Sequence, residues 1–174
     1  MIIREASAAD LPAITEIYND VIDTSDAIWL DEHVTLADRM AWFEHQAFTG
    51  QPVLVAVADD GTIEGDLLGY ASFGEFRAKA GYWPTVEHTI HIRTGHRGAG
   101  IGQALLDALV ERAEAMGKHV MVAGIDAGNG GSIRFHERNG FRLVASMPGV
   151  GRKNGRPVDL ILMQRELIPS DGPA

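Results

Sequence analysis

Three glycines in five residues, Gly98, Gly100 and Gly102, sit in the stretch HRGAGIGQALL (His96–Leu106), directly ahead of an amphipathic run. Glycine admits conformations that let successive backbone N–H groups turn toward one point. When a helix begins just after them, those groups and the helix dipole together favour an anion. Arg93 and Arg97 stand at the loop's start, where guanidinium groups can pair with phosphate oxygens. The chemistry on offer is phosphate binding. Two common forms are excluded by spacing. A G-x-G-x-x-G dinucleotide fingerprint needs glycine at position 103, which is Gln103, and no Gly-Lys-Ser/Thr follows as in a nucleotide-binding P-loop. A tight strand-to-helix turn without a ligand is the remaining reading.

The run just upstream, TVEHTIHI (Thr85–Ile92), carries a carboxylate and two imidazoles. Its alternation puts Glu87, Thr89 and His91 on one face of a strand and Val86, His88, Ile90 and Ile92 on the other. Glu87-His88-x-x-His91 has the look of a metal motif, but on a strand the two histidines point to opposite faces, and no helical H-E-x-x-H is present. No metal is expected.

These residues need a scaffold. A length of 174 residues suits one domain with a full core, and 45% hydrophobic with 22% charged residues is ordinary for a globular chain. A single domain is expected over 1–167, with residues 168–174, IPSDGPA beginning at Ile168, as a flexible tail. The net charge of −9 argues against nucleic acid and against anionic membrane surfaces, so any polyanion has to be held by local features. No apolar stretch is long enough to span a bilayer, MIIREASAAD lacks the form of a signal peptide, and there is no cysteine. A cytoplasmic location is the expectation.

Along the chain, Ile2–Arg4 reads as a strand, and Ser7 with Asp10 as a capping box for a helix with Leu11, Ile14, Ile17, Tyr18 and Val21 inward. A second helix from Thr35 is expected to bury Leu36, Met40, Phe43 and Ala47. Strands follow at Val53–Ala58 and Leu67–Gly74, joined by an Asp60-Gly61 turn. After the strand Thr85–Ile92 comes a helix from about Gly100 to Met116 with Ile101, Leu105, Leu109 and Ala113 buried, stopped by Gly117. His119–Ile125 is apolar enough for a strand covered on both faces. A short helix Ser132–Arg138 ends at Asn139-Gly140, and strands Arg142–Met147 and Val158–Arg165 flank a glycine-rich, basic segment, Met147–Asp159, that reads as a mobile hairpin. The order is that of an α+β fold with a mixed sheet.

Arg97-Gly98-Ala99-Gly100-Ile101-Gly102 resembles the R/Q-x-x-G-x-G/A pyrophosphate loop of the GCN5-related N-acetyltransferases (GNAT). A second segment, Asn129 through Ser132, Phe135, His136, Arg138, Gly140 and Phe141, resembles that family's N-x-x-S/A…Y-x-K-x-G-F stretch. Further stretches (Ala27-Ile28-Trp29, Arg39-Met-Ala-Trp42-Phe43, Gly69–Gly74, Thr85–His88, Lys118–Ile125) are similar to the phosphinothricin / methionine sulfoximine acetyltransferases. The resemblance implies a three-layer α/β/α GNAT fold. Its mostly antiparallel sheet would have about seven strands splayed at the fourth and fifth, with about four helices. It also implies acetyl-CoA as donor, a small glutamate- or methionine-like amino acid as acceptor, and a homodimer, with Met147–Asp159 as a candidate interface. The alternatives are another amine, such as a polyamine or a protein N-terminus, and an acyl-CoA-binding module without turnover.

Acetyl transfer requires a neutral amine, so a base has to take a proton from the ammonium. Glu87 is the candidate, since a strand carboxylate beside a cofactor arm is partly desolvated and its pKa rises; the resemblance assigns it the same role. The alternative is a glutamate on a solvated face. His136 stands where many relatives carry a tyrosine acid, and either protonates the thiolate or packs. A backbone N–H from Ile90, His91 or Ile92 suits the oxyanion. Asn129 and Ser132 are implied partners of the pantetheine arm, and Asn129 alternatively a cap. For the acceptor, the resemblance points to Glu75, Phe76 and Arg77, with Arg77 on the carboxylate, and to Thr85, Val86 and Glu87. The aromatic residues Trp29, Phe76, Tyr82 and Trp83 either wall the pocket against the acceptor side chain or serve as core or dimer contacts.

Overall fold

The computed structural model of the protein describes residues 1–58 and 67–168. The expected Asp60-Gly61 turn and the tail from residue 169 lie outside the described residues. Seven strands, β1 (Ile2–Glu5), β2 (Val53–Val57), β3 (Leu67–Glu75), β4 (Thr85–Ile92), β5 (Val120–Asp126), β6 (Arg142–Lys153) and β7 (Arg156–Glu166), form one sheet in the order β1-β2-β3-β4-β5-β7-β6. Among the described residues, four α-helices accompany them: α1 (Leu11–Thr24), α2 (Leu36–Phe48), α3 (Ile101–Ala115) and α4 (Gly130–Arg138). The β1–β2, β2–β3, β5–β7 and β6–β7 pairs are antiparallel. The β4–β5 pair is parallel and short, matching only Thr85, Val86 and Glu87 to Val120, Met121 and Val122. Both strands continue past that ladder, as the splayed fourth and fifth strands of the resemblance require.

The chain forms two compact units. The first comprises Met1–Asp20, Val34–Gly74 and Thr89–Arg112. Its core gathers Leu11, Ile14 and Ile17 of α1 with Val53, Val55, Leu67 and Tyr70 of β2 and β3. The α1 start is set by Asp10, whose carboxylate accepts the Ser7 N–H at 2.7 Å and both Arg4 Nη groups at 2.8 Å. Gly69 lets β4 approach, because a Cβ there would stand 2.8 Å from the His91 carbonyl oxygen.

The buried face of α2 differs from the expected one. Leu36, Met40 and Ala47 are exposed, and the inward positions are Arg39, Gln46 and, half-buried, Trp42 and Phe43. Two polar side chains take the inner face because each has an internal partner. The Arg39 guanidinium lies 3.7 Å above the Trp42 ring and 4.6 Å from that of Tyr18, and Gln46 Nε2 donates to the Phe73 carbonyl at 2.9 Å.

The second unit comprises Val21–His33, Glu75–His88 and the chain from Ala113 on. Here β5 is buried at Met121, Val122, Ala123 and Ile125 and open at Gly124. The segment read as a mobile hairpin is a paired one, with a register shift between Met147 and Gly151: β6 runs to Lys153 and β7 starts at Arg156, joined by an Asn154-Gly155 turn with φ of +50° and +72°. Those two left-handed residues make the turn whose twist suits paired strands. α4 also starts earlier than expected, at Gly130, because Asn129 Oδ1 caps it by accepting the Ser132 N–H at 3.0 Å.

Candidate active site

In the first unit, the glycine loop runs into α3. Gly98 and Gly100 have φ of +85° and +81°, and the space where a Cβ would stand is open at both. The loop from His96 to Gly100 is exposed, and α3 has no acidic residue in its first turn to compete with an anion. Helix starts leave their first N–H groups without intrahelical acceptors, so Arg97, Gly98, Ala99, Gly100, Ile101 and Gly102 have the donors and charge for a pyrophosphate. Just before the loop, Ile90, His91 and Ile92 end β4. The His91 ring lies 5.5 Å from that of Tyr70 and 6.0 Å from that of Tyr18. Burial, with the Arg39 and Arg97 charges adding to it, pushes its pKa down to about 4, so His91 is neutral.

In the second unit, β4 presents Glu87 half-buried beside β5. Burial raises its carboxyl above the ordinary glutamate range, and the Arg77 charge opposes that rise. Gly124 of β5 faces Glu87 so closely that a Cβ there would be 2.8 Å from Oε1. Arg77 is exposed, with its guanidinium 4.1 Å from the Phe76 ring and Nη1 donating to the Phe76 carbonyl at 2.7 Å. The Phe76 N–H donates to the Thr85 carbonyl at 3.4 Å, which ties Glu75-Phe76-Arg77 to the strand of Val86 and Glu87. Phe76 also meets Tyr82 edge-on at 6.0 Å. Trp83 is exposed, with Lys118 Nζ donating to its carbonyl at 2.8 Å. Trp29 is half-buried, its indole N–H donating to the Asp26 carbonyl at 2.9 Å.

His136 and Ser132 lie on α4, and His136 is paired with His88, a residue that no sequence pattern joins to it. Its Nδ1 is 2.8 Å from the Ser132 carbonyl oxygen, and its Nε2 is 3.1 Å from Nε2 of His88. A carbonyl only accepts, so the His136 proton sits on Nδ1 and its Nε2 accepts from His88 Nε2–H. His88 Nδ1 is then a buried nitrogen without a hydrogen-bond partner among the described residues. Burial, reinforced by His136, pushes the His88 pKa down to about 3, and burial lowers that of His136 as well. Both rings are neutral, and both nitrogens of His136 are engaged. Phe141 packs against both, with ring centroids 5.4 Å from His88 and 5.0 Å from His136. The only signal for this pair was that His88 shares a strand face with Val86, an inward position.

No group of three or more potential metal ligands occurs among the described residues, and no described helix is long and apolar enough to cross a membrane.

Comparison with known proteins adds to this geometry. The Acetyltransferase (GNAT) family model matches residues 14–141. An L-methionine sulfoximine/L-methionine sulfone acetyltransferase of Pseudomonas paraeruginosa is 49% identical over 168 residues, 97% of this chain and 95% of that protein. The L-amino acid N-acyltransferase MnaT of Escherichia coli is 45% identical over 167 residues, 96% of this chain and 94% of that one. Among solved structures, a GNAT superfamily phosphinothricin acetyltransferase from Sinorhizobium meliloti in complex with AcCoA superposes with a TM-score of 0.89. It is 35% identical and covers 98% of this chain and 94% of its own.

Proposed function

The chain belongs to the acetyltransferase (GNAT) family, and from that premise we propose that it acetylates the α-amino group of a small amino acid of the methionine sulfoximine, methionine sulfone or phosphinothricin type. The observation that carries the reading is Glu87: a half-buried carboxylate with a raised pKa, with Arg77 in electrostatic reach. A base for an ammonium and a cation for a carboxylate are what an amino-acid acceptor needs.

Acetyl-CoA supplies the activated acyl group as a thioester. Arg97 and the backbone N–H groups of Gly98, Ala99, Gly100, Ile101 and Gly102 hold its pyrophosphate, in keeping with the open left-handed glycines and the acid-free first turn of α3. Asn129 keeps its amide N–H₂ for the pantetheine arm while its oxygen caps α4, and the Ser132 hydroxyl is a second donor. Arg77 pairs with the acceptor carboxylate, and Phe76 and Trp29 flank its side chain. Glu87 takes the ammonium proton, directly or through water. The freed nitrogen attacks the carbonyl carbon, a backbone N–H of Ile90–Ile92 meets the developing oxyanion, and the carbon–sulfur bond breaks as the nitrogen's second proton passes, directly or through water, to the departing sulfur. A thiol titrates near pH 8.5, so the thiolate leaves without a dedicated acid; His136, with both nitrogens engaged, serves to support the strand bearing Glu87. The family resemblance further implies a cytoplasmic homodimer, for which sedimentation is the direct check of oligomeric state.

The test is thiol release from acetyl-CoA with a panel of amines, followed with a thiol reagent to which the cysteine-free protein gives no background. Release with methionine sulfoximine, methionine sulfone or phosphinothricin is expected. Release with polyamines alone would replace the acceptor class, and no release with any amine would leave an acyl-CoA-binding module.

A further inference from the structure

Lys153 is buried to 2% exposure, yet it forms no ion pair with any described residue. Its three ammonium protons are used on three backbone carbonyls: Ile22 at 2.8 Å, Ile28 at 3.0 Å and Leu30 at 2.5 Å. An ammonium has three donors, so its hydrogen-bonding capacity is filled. Ile22 lies in the last turn of α1, where the carbonyl ends carry partial negative charge that suits a cation. Three carbonyls that converge on one charge fix the chain between them, and the Ile28 and Leu30 carbonyls bracket Trp29.

The same hairpin meets that segment three more times. Gly151 lies flat under the Trp29 indole, and a Cβ there would overlap ring atoms Cε3 and Cζ3. The Asn154 N–H, presented by the left-handed turn, donates to Asp31 Oδ1 at 2.8 Å, and Arg156 reaches Asp26 at 3.6 Å. The Arg156–Asp26 pair is exposed and worth little. The buried ammonium and the glycine are the parts of the clamp that a small change would break.

We infer that the β6–β7 hairpin tip, through Lys153 and Gly151, fixes the position of Trp29 and thereby sets which acceptor side chains the enzyme accepts. The inference rests on the reading of Trp29 as a wall of the acceptor pocket. Lys153 and Gly151 are positioning residues, since they act through Trp29. A rigid wall matters because one methylene in an apolar pocket changes specificity by about 10–200-fold only when the pocket cannot relax around it.

The experiment compares Gly151→Ala and Lys153→Met with the parent enzyme and with Trp29→Ala. It measures KM and kcat for methionine sulfone and for homologues one methylene longer and shorter, the KM for acetyl-CoA, and the indole ¹H–¹⁵N resonance of Trp29, assigned by its loss in Trp29→Ala. Gly151→Ala removes no buried polar partner, so it keeps the test open if Lys153→Met does not fold. In both clamp variants the Trp29 resonance is expected to move. The preference among the three homologues shifts by about tenfold or more, while the acetyl-CoA KM stays within about twofold. An unmoved indole resonance would overturn the clamp whatever the kinetics. A moved resonance with unchanged homologue preference overturns the role in selection, and if Trp29→Ala also leaves acceptor KM unchanged, the fault lies in the reading of Trp29 as a pocket wall. Equal losses toward acceptor and acetyl-CoA would reduce Lys153 to general structural support.

Discussion

Gly124→Ala is a small change aimed at the geometry of the proposed base. The new Cβ would stand 2.8 Å from Glu87 Oε1, whereas ordinary contact begins near 3.4 Å, so the carboxylate has to retreat by about 0.6 Å. The retreating atom is the far end of a flexible side chain and Gly124 is open to solvent, so the fold should lose less than about 1 kcal/mol. The rate is more sensitive. A displacement of about 1 Å in a reacting group costs on the order of 100-fold, so 0.6 Å costs about 10- to 20-fold in kcat. The added methyl also withdraws water from Glu87, which disfavours the charged form, raises its pKa further and moves the acidic limb of the pH–rate profile upward. Steady-state thiol release between pH 5.5 and 9, with a melting curve on the same sample, measures both effects. Gly81→Ala, whose Cβ would meet nothing within 4 Å, is the control and should leave rate and profile unchanged. A Gly124→Ala enzyme with parental kcat and an unmoved acidic limb would refute the claim that the position and protonation of Glu87 govern turnover.

His88 and His91 have folded-state pKa values near 3 and 4, below the ordinary 6.5 of an unfolded histidine. The unfolded chain therefore binds their protons first, and stability is full above pH 6.5 and is lost as pH falls toward those values. The two together should cost about 2 kcal/mol between pH 6 and pH 5, read from urea unfolding at each pH; a flat profile there would contradict their burial as neutral rings. His136→Phe leaves the buried His88 Nε2–H without its acceptor, at about 1–3 kcal/mol, and should lower the Tm while kcat stays within about threefold. A 100-fold fall in kcat at unchanged Tm would instead make His136 the acid. Arg77→Ala should raise the acceptor KM by about tenfold, the value of one charge-assisted pairing in a partly solvated site, with acetyl-CoA KM unchanged; an acceptor KM equal to that of the parent enzyme would remove Arg77 from the acceptor site.

Much of the scaffold was legible because its signals are local. Alternation defined β4 to the residue, the capping box at Ser7 marked one helix start and Thr35 stood at another, and Gly117 and Gly140 marked two ends with left-handed backbone. The glycine loop and Asn129 were legible for the same reason, as short stretches whose conformation follows from residue type. What stayed hidden depends on partners distant in sequence. The inner face of α2 belongs to Arg39 and Gln46 because Tyr18, Trp42 and the Phe73 carbonyl receive them, and a hydrophobic pattern cannot register a buried cation on aromatic rings. Lys153 read as one more basic residue of a loose hairpin, since nothing near it in sequence says that three carbonyls 123 to 131 positions earlier surround its ammonium. His88 likewise meets His136 across 48 positions.

The central claim is that Glu87 accepts the proton from the acceptor amine, and Glu87→Gln tests it most directly. Glutamine keeps the shape and the Gly124 contact and removes the basic oxygen. kcat at pH 7.5 should fall by about 100-fold or more, the acidic limb of the profile should disappear, and acetyl-CoA affinity measured by titration should stay within about twofold. A Glu87→Gln enzyme with kcat within about twofold of the parent and the same acidic limb would contradict the account.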